Sequence, residues 1–260
     1  MLTAVPAQPP ELLPVIYRDA DLIAINKPAG LLVHRSPIDR HETRFAIQLL
    51  RDQIGQRVYP LHRLDKPTSG LLLFALSPEI ASQVSATWAA QVTKHYLAVV
   101  RGVAPAEETI DHPLNHQADK LADQHRLVFP AAQAAQTSIK RLASTTLPYA
   151  VDKYPESRYS LVECQPHTGR KHQIRRHLKH ISHPIIGDAK HGKGRHNRFF
   201  AETLQAPGLL LAATQLSLTH PVTGTTLTLN APVTGAVANI LRRFDWLQYL
   251  PSEWQPAHAS

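Results

Sequence analysis

The stretch Gly70-Leu71-Leu72-Leu73-Phe74-Ala75-Leu76 is apolar from end to end. An uninterrupted run of this length reads as a strand buried on both faces, so the chain must supply cover on both sides of it. Ser77-Pro78-Glu79 then starts a helix, with serine as the cap, proline at the first helical position and glutamate in the first turn. The helix runs through Val84 and Trp88. Upstream, Val15-Ile16-Tyr17 and Leu22-Ile23-Ala24-Ile25 are short strands around the turn Arg18-Asp19-Ala20-Asp21, which makes a hairpin. Asn26-Lys27-Pro28-Ala29-Gly30 is a second turn, and 31–34 a short strand. Phe45, Ile47, Leu49, Leu50 and Ile54 mark an amphipathic helix over 43–53, ended by Gly55. Residues 58–61 lead into the turn before the apolar run.

Downstream, 94–101 and 158–165 alternate as strands. A basic helix covers 170–180, with Ile174, Leu178 and Ile181 inward. Strands at 209–218 and 225–229 flank the turn 220–224, and a last helix covers 235–247. Residues 103–157, rich in Ala, Gln, His and Pro, predict loops and short strands. Pro6, Pro9, Pro10 and Pro14 make 1–13 a loose lead-in. There is no repeat and no regular βαβ alternation. The expected fold class is therefore α+β with a mixed, largely antiparallel sheet, as one large domain or two subdomains.

Charge location bears on function. The net charge is +8, and residues 167–198 alone carry nine Lys or Arg against one acid, Asp188. The rest of the chain is balanced. Seven histidines interleave with the basic residues. An excess gathered in one stretch is a phosphate-tracking footprint, so a nucleic acid is the expected partner. The histidines lack metal spacing. His172 and His177 sit about 140° apart around a helix, and Arg176 and Lys179 beside His177 and His180 would repel a divalent cation. Gly192-Lys193-Gly194 lacks the third glycine of a dinucleotide loop, and no Walker loop is present. Asp111, Asp119 and Asp123 are only loose candidates for a two-metal site. No metal or nucleotide cofactor is expected. The single cysteine, Cys164, allows no intrachain disulfide. The start of the chain lacks a signal peptide's basic and apolar segments, and no apolar run reaches membrane length. A cytoplasmic location is expected.

One carboxylate remains in a setting suited to chemistry. Asp65 lies between Arg63 and Lys66, in a turn that Pro67 and Gly70 make stiff. A loop aspartate of this kind is commonly a structural ion pair or a turn lock. A reactive carboxylate would also want a rigid loop, and a fixed cation to keep it ionised and oriented. Arg170, Arg175 or Arg176 of the basic helix could supply one.

His62-Arg63-Leu64-Asp65-Lys66-Pro67-Thr68-Ser69-Gly70 resembles the signature of the RluA-type pseudouridine synthases. Three further motifs agree in order: Asn26-Lys27-Pro28-Ala29-Gly30-Leu31; Lys94-His95-Tyr96-Leu97-Ala98-Val99-Val100-Arg101-Gly102; and His167-Thr168-Gly169-Arg170-Lys171-His172-Gln173-Ile174-Arg175 with His183-Pro184-Ile185-Ile186-Gly187-Asp188. The resemblance spans roughly 14–232, which it marks as the catalytic domain, with 233–260 a C-terminal helix and tail. It implies a mixed sheet in two subdomains with a central catalytic cleft. It also implies isomerisation of an RNA uridine to pseudouridine without a cofactor. Asp65 would be the essential carboxylate, Tyr96 would pack on the flipped base and assist removal of the C5 proton, and Arg175 would pair with Asp65. Arg63, Arg170, Lys171, Arg176, Lys190 and Lys193 are the candidate RNA contacts.

Within the family the chain looks closest to the branch that modifies position 65 of tRNA. Val33-His34-Arg35-Ser36, Arg51-Asp52-Gln53-Ile54-Gly55-Gln56, Asp188-Ala189-Lys190-His191-Gly192 and Phe244-Asp245-Trp246 carry that likeness. The expected partner is thus tRNA, with the protein a monomer. Ala212 departs from the family's usual histidine, and Ile139 from a common aromatic; both bear on packing. Two alternatives stay open: a synthase acting on ribosomal RNA, and a non-catalytic RNA-binding protein on the same scaffold.

Overall fold

The computed structural model describes residues 12–35, 41–116 and 131–256. In chain order its elements are β1 (Val15–Arg18), β2 (Leu22–Lys27), α1 (Ala46–Ile54), β3 (Tyr59–Pro60), β4 (Ser69–Ala75), α2 (Pro78–Gln91), β5 (Thr93–Arg101), β6 (Glu107–Asp111), β7 (Gln136–Leu147), β8 (Ser157–Pro166), α3 (Gln173–His180), α4 (Gly194–Glu202), β9 (Leu211–Thr219), β10 (Thr226–Asn230) and α5 (Gly235–Arg243). The strands form one ten-stranded sheet in the order β1-β2-β4-β9-β5-β8-β7-β6, with β3 on β4 and β10 on β9. Only the β4–β9 pairing is parallel among these strands. The α+β class and the largely antiparallel sheet are as expected.

All seven residues of β4 are buried, between β2 and β9. Its parallel contact with β9 is close enough to dictate residue type. Gly70 has φ +104, and a Cβ there would lie 2.1 Å from the carbonyl oxygen of Ala213. Ala212, which departs from the family pattern, is 1 % exposed opposite Ser69 and Leu97. Ile139, the other departure, is also buried, opposite Cys164 on β8.

The side chains of β5 divide between two cores, as strand pleating requires. Tyr96, Ala98 and Val100 join the core that includes Ala46 and Leu50 of α1, Ile80 and Val84 of α2 and Ile174 and Leu178 of α3. Leu97 and Val99 join a second core with Phe200 of α4, Val237, Ile240 and Leu241 of α5, and Trp246 and Trp254 beyond it. The segment after residue 232 is thereby built into this second core.

Several elements differ from expectation. β7 is a twelve-residue strand inside the stretch read as loops and short strands. Its exposed positions are Lys140, Ser144 and Thr146, and only Thr137 and Ile139 are fully buried, so it shows little apolar signal. α4 was not expected, because its charges mask the inward His196 and Phe200. α3 begins at Gln173 and not at Arg170. The Gln173 Oε1 accepts the Thr168 hydroxyl at 2.7 Å and the Arg170 N–H at 3.0 Å, which curls the chain before the helix. Residues 31–34 make only an isolated bridge, Leu32 to Phe45, and α5 stops at Arg243. Gly55 does cap α1, in the left-handed conformation. The lead-in 1–11, Ser36, Asp119 and Asp123 lie outside the described residues.

The hairpin turn between β1 and β2 is locked. Asp19 accepts the N–H groups of Asp21 and Leu22 at 2.8 and 2.7 Å, the Tyr17 hydroxyl, and the His220 Nε2–H at 3.0 Å. His220 Nδ1 accepts from Val222 and Thr223, which assigns the ring proton to Nε2. Asp19, Asp21 and His220 come close enough to suggest a metal site. The Asp19 oxygens are instead saturated by these donors.

Candidate active site

Two turns meet to hold Asp65. The Thr68 N–H bonds the Asp65 carbonyl at 3.0 Å, closing the turn, and the Gly30 N–H bonds the Lys66 carbonyl at 2.8 Å. Lys27 lies at the end of β2 and is fully buried. Its ammonium donates to the carbonyls of Pro28 and Leu31, both at 2.9 Å, and of Lys66 at 3.2 Å. That uses all three of its N–H groups and pins one turn to the other. Burial pulls the Lys27 pKa down to about 7, and the nearby Asp65 carboxylate opposes the shift.

The far wall comes from α3. Arg175 donates through Nη1 to Asp65 Oδ2 at 2.7 Å. Its Nε and Nη2 grip Asp188 in a two-point bond at 2.7 and 2.9 Å. Asp188 Oδ1 also takes the backbone N–H groups of Lys190 and His191, both at 2.9 Å. Burial works against both charges. The hydrogen bonds outweigh it, so the Asp188 pKa is lowered and that of Arg175 raised. Asp65 Oδ1 takes no hydrogen bond from the described residues.

His172 is a second neighbour of Asp65, with Nε2 3.7 Å from Oδ2. It caps α3 at φ 55, a left-handed conformation that a non-glycine residue adopts at a cost. Its Nδ1 lies 3.1 Å from Nε2 of His191. Burial holds both rings down to about 4, so both are neutral at neutral pH. Tyr96, on β5, is 8 % exposed. Burial and then the Asp65 charge raise its phenol well above the usual range, so it stays protonated.

These groups line a cleft of about 680 Å³ that includes Asp65, Tyr96, His172 and Arg175. Arg63, Arg170 and Lys171 also line it, and Arg63 and Arg170 are exposed. Arg176 does not; its Nη2 donates to the Asn115 carbonyl at 3.0 Å. Lys190 and Lys193 are exposed outside the cleft lining. The structure therefore gathers Asp65, Tyr96, Arg175 and three of the six candidate RNA contacts. A second depression, about 510 Å³ over β6, β7 and β8, is lined by Glu107, Glu108 and Glu163, a charge unsuited to phosphate.

The sequence reading passed over Lys27, His172 and Asp188 as members of the site. Asp188 left one signal: it is the lone acid in a strongly basic stretch. His62, Trp88 and Lys94 were also missed as cleft residues.

A fixed, partly exposed carboxylate with one oxygen that no described residue bonds, an arginine anchored behind it and an aromatic wall suits chemistry on a flat ring inserted between them. The RNA pseudouridylate synthase family model matches residues 21–180. The chain belongs to this family and is a pseudouridine synthase. It is 49 % identical over 236 residues to tRNA pseudouridine synthase C of Vibrio vulnificus (strain CMCP6), covering 90 % of this chain and 96 % of that one. With the protein of the same name from Pasteurella multocida (strain Pm70) it shares 51 % over 235 residues, 90 % and 97 % of the two chains. Human RNA Pseudouridylate Synthase Domain Containing 4 superposes with a TM-score of 0.66 at 27 % identity, covering 89 % of this chain and 93 % of that one. The human Domain Containing 1 protein shares the fold, with a TM-score of 0.65 at 23 % identity over 88 % and 86 % of the chains. No described helix is long and apolar enough to cross a membrane.

Proposed function

We propose that this protein isomerises a uridine of tRNA, at position 65, to pseudouridine, acting as a cytoplasmic monomer. The near-half identity to relatives named tRNA pseudouridine synthase C supports the choice of tRNA. The observation that carries the chemistry is the Arg175–Asp65 contact on the floor of the cleft. The conversion breaks the bond from C1′ to N1, turns the uracil and joins C1′ to C5. Atoms and electrons are conserved, so the reaction itself calls for no cofactor. Residues 14–232 form the catalytic unit.

In this reading Asp65 is the essential carboxylate. Arg175 holds it in one rotamer, which leaves Oδ1 for the sugar or the base. Tyr96 packs against the extruded uracil. Its phenol is protonated, so it helps remove the C5 proton by passing a proton on, not as a standing phenolate. Extruding the nucleotide costs a few kcal/mol of stacking, and basic groups at the cleft mouth repay it by holding the flanking backbone. Arg63, Arg170 and Lys171 act there, with Arg176, Lys190 and Lys193 further out.

The test is Asp65→Asn. The variant is expected to bind tRNA with near-normal affinity and to form no pseudouridine. Mapping pseudouridines in tRNA and ribosomal RNA from cells with and without the gene identifies the target. A site lost from ribosomal RNA alone would overturn the tRNA reading, and loss from neither would overturn the activity.

A further inference from the structure

Lys94 lies two residues before Tyr96 on β5, and none of the chemistry above uses it. It lines the same cleft, burial lowers its pKa, and its ammonium has no hydrogen bond or ion pair among the described residues. An ammonium drawn partly out of water without a counter-charge is costly, and no described residue offsets the cost with a hydrogen bond or ion pair.

Its cleft neighbours cannot supply an anion. The His62 Nε2 accepts the Leu73 N–H at 3.1 Å, so the ring carries its proton on Nδ1. Burial, and then Lys94 itself, holds that ring neutral, with a pKa of about 3. Trp88 stacks on the same ring, with centroids 5.4 Å apart and planes 23° from parallel. The pair forms a neutral wall. Asp65 does not serve Lys94 either. Its Oδ2 is held by Arg175 at 2.7 Å, and it makes no hydrogen bond or ion pair with Lys94. Two residues along a strand is about 6.5 Å. Lys94 thus lines the cleft one strand repeat away from Tyr96, a displacement on the scale of one step along a nucleic-acid backbone.

We propose that Lys94 binds a non-bridging oxygen of the RNA phosphate adjoining the extruded uridine, in a subsite walled by Trp88 and His62. The inference rests on the RNA-modifying reading of Asp65 and adds to it a phosphate contact from β5, outside the basic stretch 167–198. A full negative charge is the appropriate ligand. A uracil carbonyl would offer only a dipole to a cation that lacks a counter-ion.

The experiment uses a tRNA assembled from two strands, with a neutral methylphosphonate placed at single positions on either side of the target uridine. Binding is measured in an Asp65→Asn background, and single-turnover pseudouridine formation with Asp65 intact. One of these modifications is expected to weaken binding about tenfold, as loss of one charge-assisted contact does. Lys94→Met is expected to bind unmodified tRNA about tenfold more weakly, with a salt slope smaller by a little under one. It should lose nothing further from that same modification. Lys94→Arg keeps both the affinity and the sensitivity, which separates charge from misfolding. Additive losses at every flanking phosphate would overturn the proposal. So would a Lys94→Met protein whose saturating rate falls while its binding and phosphate sensitivity stay intact, because the lysine would then act on the base. If the wild-type protein forms no pseudouridine in any tRNA, the reading beneath the proposal fails instead.

Discussion

Arg175 bonds Asp65 and Asp188 at once, with 2.7 Å to the Oδ2 atom of each. The two carboxylates have different settings. The Asp188 side chain is 0 % exposed and that of Asp65 is 28 % exposed. The buried acid fixes the arginine, and the arginine then presents one N–H to the acid that must stay reachable. Asp188 thus acts through Arg175 as a positioning residue.

Replacing Asp188 tests this chain of contacts. Asp188→Ala leaves the Arg175 charge buried without its two-point partner, and breaking such a pair typically costs about 3–5 kcal/mol. The expected result in a denaturant melt is a loss of that order, together with a lower rate at saturating tRNA. Asp188→Asn keeps one acceptor and is expected to lose less of both. Unchanged stability and rate in Asp188→Ala would show that Arg175 needs no anchor.

Lys27 should matter to the same loop from behind. Lys27→Met removes three hydrogen bonds and leaves the carbonyls of Pro28, Leu31 and Lys66 to find other donors. A loss of about 2–4 kcal/mol is expected from the unsatisfied acceptors. The rate at saturating tRNA should fall at least about tenfold as Asp65 loses its fixed position, while tRNA affinity changes little. A variant with reduced affinity and a normal rate would refute the clamp.

Acid should destabilise the protein through three buried histidines. His62 is held down to about 3, and His172 and His191 to about 4, chiefly by burial. Unfolded histidine has its pKa near 6.5. Between these values the unfolded chain binds more protons than the folded one. These three sites therefore leave stability intact above about pH 6.5, and it is lost progressively as pH falls toward 4 and then 3. Thermal melts across pH 4–8 are expected to show that decline. His62→Gln should make the decline shallower across pH 4–6.5, and a flat wild-type profile over the whole range would contradict the assignment.

Gly70→Ala should be among the most damaging small changes. The added methyl would sit 2.1 Å from the Ala213 carbonyl oxygen, on a residue with φ +104. Both the strain and the clash fall on the one parallel strand contact beside the Asp65 turn. A loss of at least about 3 kcal/mol is expected in a denaturant melt. A neutral result would mean that β4 and β9 can separate without harm.

Much of this was legible along the chain, for local reasons. The run at 70–76 had to be a covered strand, Ser77-Pro78 had to open a helix, and Gly55 had to close one. β7 and α4 escaped because each buries only two residues, Thr137 and Ile139 in β7 and His196 and Phe200 in α4, too few for an apolar period to show. Asp65 stood out as a stiffly held acid, yet its turn alone did not separate a reactive carboxylate from a structural one. The order of four motifs did more, because several spaced matches constrain a family far more tightly than one turn does.

The sequence by itself determined the kinds of element, the doubly covered strand, the site of the charge excess and the candidacy of Asp65, Tyr96 and Arg175. The first three, and the stiff setting of Asp65, depend on residue type and on neighbours a few positions away, whereas Tyr96 and the choice of Arg175 followed from the resemblance of spaced motifs to a family. Only the tertiary structure decided that Arg175 meets Asp65 from 110 residues away with Asp188 behind it. It alone placed Lys27 beneath the loop, His172 beside the carboxylate and, in the cleft wall, a Lys94 with no partner among the described residues. Hydrogen bonds and ion pairs act over a few ångströms of space. Which distant residues come within that reach is settled by strand order and by the packing of α3 against the sheet.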